Sequence, residues 1–203
     1  MKKTFKIFAI IMLSLALLVS ITGCGNKEEE KRNFDMGEWK DGVYENSFLK
    51  YKFELPEDWT ASTDKEIAAI MQLGEDVLES EGKYISEVAK LSAVYFAVAR
   101  DATGNSILIM AEKTTSMATL DEYMTALKTQ LTSLTELEYT VIEEGTSKLG
   151  NAECSTVTFR ESELGLLQKS YVYEEGEYFV VVTMTSTEGE TLFDELENNF
   201  KAN

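Results

Sequence analysis

The sequence predicts an α+β fold in which an antiparallel β-sheet is flanked by helices, and two observations lead to this prediction. Several segments have apolar residues that alternate or run continuously, as strands do. These segments follow one another along the chain with turn residues between them, as in β-hairpins. Segments with apolar residues at helical spacing are set apart from these strands instead of alternating with each one. Segregated helices and consecutive hairpins are typical of α+β domains with antiparallel sheets.

The strand predictions follow the chain from its first clear alternation. Apolar residues alternate with charged ones from Leu49 to Leu55, and Pro56 then ends the strand because it cannot donate to a ladder. The apolar runs 93–99 and 106–111 flank the turn residues 101–105 and predict a hairpin of buried strands. Four later strands are predicted, with a tight turn between the last two: Tyr139–Glu143, Cys154–Arg160, Gln168–Glu174 and Glu177–Thr185.

The helix predictions rest on capping boxes and apolar stripes. Thr63 is followed by Glu66, and Thr119 by Glu122, at the spacing of a capping box. The stripes behind these caps are Ile67, Ile70, Met71, Gly74, Val77 and Leu78, and then Leu120, Tyr123, Met124, Leu127, Leu131 and Leu134. Residues 83–91 are ambiguous, and a final helix is predicted from Thr191 to about Phe200, with Leu192, Phe193, Leu196 and Phe200 on its apolar face.

The order of these elements resembles the Mog1/PsbP-like fold of small lipoproteins from Gram-positive bacteria. The resemblance covers roughly residues 40–202 and rests on an opening of the form Y-x-N, then F-x-L-P-x-x-W, carried here by Tyr44, Asn46, Phe53, Leu55, Pro56 and Trp59. It implies an antiparallel α+β domain of a kind that acts mostly in binding or assembly. These motifs are structural, so the resemblance transfers no catalytic residues.

The first residues of the chain are typical of a secretory signal. Lys2, Lys3 and Lys6 precede an apolar run from Ile7 to Val19, which matches the charged and apolar regions of a signal peptide. The run is shorter than the roughly 20 apolar residues that cross a bilayer comfortably. The alternative interpretation is an uncleaved signal anchor.

The next four residues, Ile21-Thr22-Gly23-Cys24, resemble the lipobox of bacterial lipoproteins, although Leu is commoner than Ile at its first position. The resemblance implies that a lipid is attached to the thiol of Cys24 and that the signal is cut just before it. Residues 1–23 are then the removed signal, 24–38 a flexible polar tether, and 39–203 the α+β domain. The predicted location is the extracytoplasmic side of the cell membrane.

Charge and composition exclude several functions. The chain has a net charge of −17, and removing residues 1–23 with their three lysines leaves −20. A chain this acidic is a poor partner for nucleic acid, whose phosphates need Lys and Arg. The sequence contains no histidine, so Ser-His-Asp and Cys-His catalysis and histidine-ligated metal sites cannot be built from it. No glycine-rich phosphate loop is present, and no cofactor is predicted.

The remaining candidates for chemistry are weak. The acidic turns Glu143-Glu144 and Glu174-Glu175-x-Glu177 could hold a calcium ion, but the sequence favours solvated turns, and we predict no metal site. Cys154 lies in an alternating strand with no cationic neighbour, which favours a buried structural thiol over a reactive one. Six aromatic residues could line a groove, although strand aromatics more often pack in cores: Trp39, Tyr44, Trp59, Tyr171, Tyr173 and Tyr178.

The sequence therefore favours a lipoprotein that is not an enzyme and that binds an envelope protein or a small ligand. Its predicted contact with the membrane is the lipid on Cys24, and its predicted catalytic, cofactor and metal residues are none. An envelope enzyme that uses carboxylates or serine is the first alternative, and a Ser–Lys pair within hydrogen-bond reach would support it. A passive surface module that binds nothing is the second alternative.

Overall fold

The computed structural model describes residues 35–80, 93–113, 119–134 and 137–203, without the side chains of residues 73–80. These residues form an α+β domain with helices α1 (Asp64–Ser80), α2 (Leu120–Thr132) and α3 (Thr191–Glu197). The strands are β1 (Glu38–Lys40), β2 (Val43–Glu45), β3 (Tyr51–Glu54), β4 (Thr60–Ala61), β5 (Ala93–Arg100), β6 (Ser106–Lys113), β7 (Tyr139–Leu149), β8 (Ala152–Glu161), β9 (Leu167–Glu175), β10 (Tyr178–Ser186) and β11 (Phe200–Ala202).

In the described part of the chain, two antiparallel sheets carry all of these strands. The large sheet has seven strands in the order β4-β5-β6-β10-β9-β8-β7, and the small sheet has four in the order β1-β2-β3-β11. Consecutive hairpins build most of the large sheet, since β5 pairs with β6, and β7, β8, β9 and β10 pair in sequence. The predicted fold class, an antiparallel α+β domain flanked by helices, is therefore confirmed.

The core lies on both faces of the large sheet. Helices α1 and α2 cover one face, where Ile67 of α1 and Leu127 of α2 pack with Val181 of β10. The small sheet and α3 cover the other face, where Phe53 and Phe193 pack with Val182. A strand that is buried on both faces needs apolar residues at nearly every position. This is why the sequences of β5, β6 and β10 are nearly continuous apolar runs.

Both predicted capping boxes form. At the start of α1 the Glu66 carboxylate accepts from the Thr63 backbone N–H at 2.9 Å, and the Thr63 hydroxyl accepts from the Glu66 N–H at 3.4 Å. Thr119 and Glu122 make the same reciprocal bonds at the start of α2. Each box satisfies backbone donors that a helix leaves free at its first turn, so the two helices begin where the sequence predicts.

The final helix is shorter than the sequence predicts. Its helical hydrogen bonds end at Glu197, and Phe200 starts strand β11, where it pairs with Phe53 of β3. Asn199 makes the transition because its side-chain amide donates to the Glu54 carbonyl at 2.9 Å, while its own carbonyl accepts from the Glu54 N–H. Phe200 is buried by strand pairing, and this tertiary contact outweighs the local helical pattern.

The sequence pattern does not predict the short strands β1, β2 and β4, and the remaining departures are at strand ends. Strand β7 was predicted to end at Glu143 and continues to Leu149, paired with β8 as far as Ala152. Most of its added residues are exposed, so no apolar pattern marked them. The predicted signal, most of the predicted tether and the ambiguous segment 83–91 lie outside the described residues. None of the helices in the described ranges is both long enough and apolar enough to cross a bilayer.

Candidate functional site

A groove of about 530 Å³ opens at the edge of the large sheet, between the first turns of α1 and the start of β5. Residues 36–39, which lead into the small sheet, form its third side. The groove is lined mainly by apolar side chains, and its principal lining residues are Met36, Trp39, Ile67, Ala68, Met71 and Val94. We call this feature the apolar groove.

Hydrogen bonds hold the segment that precedes β1 in place. The Tyr44 hydroxyl donates to the Met36 carbonyl, and the Asn46 amide donates to the Asp35 carbonyl at 2.9 Å. The Asp35 carboxylate accepts from the backbone N–H and the hydroxyl of Ser47 at 2.8 and 2.6 Å. These bonds fix this wall of the groove to the end of β2.

The opposite wall is fixed to the large sheet by the residues that start α1. The Ser62 N–H donates to the Val98 carbonyl of β5 at 2.8 Å. One turn later Glu66, already part of the capping box, lies 3.4 Å from the Arg100 guanidinium at the end of β5. Exposed ion pairs contribute little free energy, so this one orients the helix more than it stabilises the protein.

Two kinds of polar group interrupt the apolar lining. The Ser62 hydroxyl is buried and has no hydrogen-bond partner within the part of the chain that the structure describes. The exposed carboxylates of Glu38 and Asp64 also line the groove. Met36 is half exposed, at 50% of its full surface, so its side chain is accessible from the groove. The groove can therefore offer a ligand both apolar contact and a few directed polar contacts.

A second depression of about 600 Å³ adjoins the apolar groove and shares Gly37 and Glu38 with it. It is lined by charged and polar side chains, and we call it the acidic trough: Asp35, Glu38, Glu45, Asn46, Ser47, Lys52 and Asn203. The ammonium group of Lys52 is the one cation in this lining, and it lies 2.6 Å from the Glu45 carboxylate.

Hydrogen bonds keep two carboxylates of the trough ionised. The pKa of Asp35 is lowered by the Ser47 hydroxyl, by the Ser47 N–H and by the Gly37 N–H, which all donate to the charged form. The pKa of Glu45 is lowered by the hydrogen bond from Lys52 and by its positive charge. Both groups are therefore negative well below neutral pH.

A third cluster of polar side chains surrounds Glu197 at the end of α3. Its carboxylate accepts from the Ser147 hydroxyl at 2.9 Å, the Lys169 ammonium at 3.0 Å and the Tyr171 hydroxyl at 2.7 Å. Burial raises the pKa of Glu197, but these hydrogen bonds outweigh it and leave the pKa below its ordinary value. A carboxylate of lowered pKa is a weak general base, so the arrangement suits a tie between α3 and strands β7 and β9.

Cys154 is buried, as predicted from the sequence. It is 2% exposed, and its thiol faces the core shared with the small sheet, while Val157 and Phe159 face the core under the helices. Burial raises the pKa of the thiol to about 12, so almost no thiolate forms at neutral pH. Cys24, the predicted lipidation residue, lies outside the described residues.

The predicted aromatic residues divide between packing and the groove. The packing interpretation is confirmed for the four buried tyrosines, Tyr44, Tyr171, Tyr173 and Tyr178. Trp59 is partly buried against the same core, and Trp39 lies at the groove with its ring 5.3 Å from that of Tyr44. The groove itself was not predicted from the sequence, because no local pattern marks residues that only the fold brings together.

The acidic residues considered for calcium are not all in turns: Glu143 and Glu144 lie within strand β7, so the predicted turn at that position is wrong. Two of these residues contact lysines. Glu144 lies 2.7 Å from the Lys128 ammonium of α2, and Glu175 lies 3.0 Å from the Lys50 ammonium. Across the described ranges, no three Asp, Glu or Cys side chains are grouped so that they could share a metal ion.

Comparisons with known proteins leave the family open. No protein-family model and no curated protein sequence matches the chain. Among solved structures it is similar to a protein of Bacteroides thetaiotaomicron VPI-5482, with a TM-score of 0.38 and 14% identity, covering 76% of this chain. The chain spans only 45% of that protein. It is also similar to LpqN of Mycobacterium tuberculosis, described as involved in cell envelope biogenesis, with a TM-score of 0.37 and 12% identity, covering 74% of this chain and 82% of LpqN.

At TM-scores below 0.5, neither likeness carries an argument about this chain. The resemblance to the Mog1/PsbP-like fold and the lipobox at Cys24 both stay predictions from the sequence.

Proposed function

We propose that the protein is a lipid-anchored binding module of the cell envelope, held by Cys24 on the extracytoplasmic side of the membrane and without catalytic activity. The observation that carries the binding role is the apolar groove between α1, β5 and residues 36–39. The lipobox-like residues 21–24 supply the anchoring part of the proposal. Other parts of the envelope, or a ligand in the surrounding medium, are then the molecules within reach.

The groove has the properties of a binding site. Its volume falls within the roughly 300–1,000 Å³ of ligand pockets, and it combines apolar walls with a few polar groups. Because the hydrogen bonds of Asp35, Tyr44 and Asn46 fix one wall, a ligand meets a preformed surface and loses less free energy to ordering it.

The proposal that the protein is not an enzyme rests on side-chain chemistry. The sequence has no histidine, the residue that most often moves protons at neutral pH. Ser147 and Lys169 both donate to Glu197, so the carboxylate is the shared acceptor in that cluster. A nucleophilic serine requires a neighbour that takes its proton at working pH, and the lowered pKa of Glu197 disfavours that role.

A pair of adjacent alanines tests the binding role. Ala68 and Ala69 are both exposed on α1, but only Ala68 lines the groove. A photoreactive p-benzoylphenylalanine at position 68, illuminated in intact cells, should give one discrete adduct that the same residue at position 69 does not give. The captured molecule, once identified and purified, should bind the wild-type protein and lose binding to an Ala68→Lys variant.

The opposite results are equally informative. Identical adducts from both positions, or none from position 68, would contradict a binding role for the groove and favour the passive module. Circular dichroism melts of the variants provide the control for folding.

A further inference from the structure

We infer that the occupant of the site is a basic, amphipathic peptide segment of a partner protein, seated with an apolar side chain in the apolar groove and basic side chains across the acidic trough. This inference rests on the proposed function and assigns the class of partner. Three features of the site carry it: two adjoining depressions of opposite character, an excess of carboxylates over cations among the described lining residues, and side chains in the groove that can hold an apolar side chain.

The first feature is the division of one surface into two halves. The apolar groove and the acidic trough share Gly37 and Glu38, so a ligand that fills one reaches the other. Each half alone has the volume of a small-molecule pocket, about 530 and 600 Å³. A chain molecule with apolar and charged side chains in succession matches both halves at once, which a compact ligand does not.

The second feature is charge. The carboxylates that line the two halves are those of Asp35, Glu38, Glu45 and Asp64, and Lys52 is the one cationic side chain among the lining residues. Lys52 already contacts Glu45, so three negative charges lack a cationic partner in the lining. The whole chain has a net charge of −17, which adds a long-range attraction for cations. Lys or Arg side chains complement this surface, and acidic ligands are repelled by it.

The third feature is the means of holding a peptide in the groove. Ile67 and Met71 offer contacts for an aliphatic side chain. Trp39 also lines the groove, and a Lys or Arg side chain of the peptide could stack on its ring.

An unbiased selection tests this inference. Random dodecapeptides displayed on their mRNA are selected on the full mature lipoprotein, purified in detergent micelles. We expect the enriched peptides to carry more Lys and Arg than Asp and Glu, together with at least two large apolar residues. Affinities of the best peptide are then measured by fluorescence anisotropy at two salt concentrations, and its dissociation constant should rise with salt.

Matched variants locate the binding. Ala68→Lys adds bulk and a positive charge in the groove and should weaken binding at least tenfold, whereas Ala69→Lys, one residue along the same helix, should bind like wild type. The double variant Glu38→Gln with Asp64→Asn keeps the shape of the site and removes two negative charges. It should therefore weaken binding of the basic peptide at least threefold. Thermal melts within a few degrees of wild type establish that each variant is folded.

Several outcomes would overturn the inference while leaving the proposed function in place. Neutral or acidic peptides could be enriched, the double variant could bind unchanged, or no peptide could be enriched although position 68 still gives its discrete adduct in cells. Dimers that sediment in the ultracentrifuge and are lost in Ala68→Lys would assign the groove to a second copy of the chain instead. Failure of both the selection and the position-68 adduct would overturn the proposed function as well.

Discussion

The side chain of Cys154 lies in a core where the large and small sheets meet, and its environment determines its chemistry. Tyr51, Tyr171 and Tyr173 surround it in the same core, and burial is the main cause of its raised pKa of about 12. Because thiol reagents attack the thiolate, the native protein should react with Ellman's reagent at pH 8 very slowly.

The measurement uses a Cys24→Ser variant, in which Cys154 is the only cysteine. Native protein should show almost no labelling over an hour, and protein in concentrated urea should label completely within minutes. Rapid labelling of the native variant would mean that Cys154 is accessible, contrary to its burial.

The Glu197 carboxylate stabilises the fold through the three hydrogen bonds that it accepts. Glu197→Gln removes the charge that binds Lys169 and leaves partly buried donors poorly satisfied, so we expect the free energy of unfolding to fall by about 1–3 kcal/mol. Urea denaturation measures this loss. Glu195→Gln is the matched control, since Glu195 is exposed on the same helix and should change stability by less than about 0.5 kcal/mol.

The same carboxylate predicts a pH dependence. The folded-state pKa of Glu197 is below its ordinary value of 4.5, so the unfolded chain binds the proton more tightly than the folded one. Its contribution is fully present above about pH 4.5 and is lost as pH falls through the lower, folded-state pKa. The stability difference between wild type and Glu197→Gln should therefore shrink on acidification below pH 4.5, and a difference that grew there would contradict the assignment.

At the scale of the element, the C-terminal strand β11 completes the small sheet. Phe200 is 5% exposed, and its ring lies 4.8 Å from that of Tyr51 and 4.9 Å from that of Phe53. Replacing a buried aromatic ring by a methyl group leaves a cavity, so Phe200→Ala should reduce the free energy of unfolding by about 3–5 kcal/mol. Lys201, the next residue of the same strand, is exposed, so Lys201→Ala should reduce the free energy of unfolding by less than about 1 kcal/mol.

Chemical denaturation of both variants separates strand β11 from a continued helix. In a helix that ran through Phe200, the ring would face the same side as Leu196, and removing the last three residues would leave the small sheet intact. In the structure, deleting residues 201–203 removes two of the three residue pairs between β11 and β3, and should destabilise the protein measurably. No loss of stability on this truncation would contradict the strand.

The elements that sequence analysis predicted are those whose pattern is local. Local signals were sufficient to predict two helices and three strands. These signals are the capping boxes of α1 and α2 and the apolar runs of β5, β6 and β10. The short strands β1, β4 and β11 have two or three residues each, too few for a period to show. The groove was not predictable because its walls come from segments about 30 residues apart, and only the fold brings Met36, Ile67 and Val94 together.

At the scale of the whole molecule, the two sheets and the acidic surface have different roles. The large sheet, buried on both faces, provides rigidity, and the groove forms at its edge, where α1 and the entry segment of the small sheet meet. The net charge of −17 on the whole chain favours solubility and repulsion from anionic headgroups. Such a domain does not bind an anionic membrane through its own surface, which agrees with the covalent lipid that the lipobox-like sequence at Cys24 predicts.

The lipobox resemblance gives a prediction for the anchor. Each buried methylene of an acyl chain contributes about 0.8 kcal/mol to membrane binding, so two or three chains hold a protein firmly. Only a thiol can form the thioether, so Cys24→Ser should abolish incorporation of an alkyne-tagged fatty acid. The variant protein should then either move from the membrane fraction to the soluble fraction or remain as an unprocessed precursor. Cys154→Ser removes the other cysteine of the chain and should keep both the label and the membrane location.

Intact-mass spectrometry of the wild-type protein completes the test. We expect a mature chain that begins at Cys24 and carries the added mass of a diacylglycerol, because cleavage before the modified cysteine follows from the lipobox resemblance. An unmodified N-terminus at any other residue, or a Cys24→Ser protein that stays acylated and membrane-bound, would contradict the anchor. In that case the groove would have to be studied as the site of a protein with a different location, since the mutations at Ala68 and Ala69 test binding independently of the lipid.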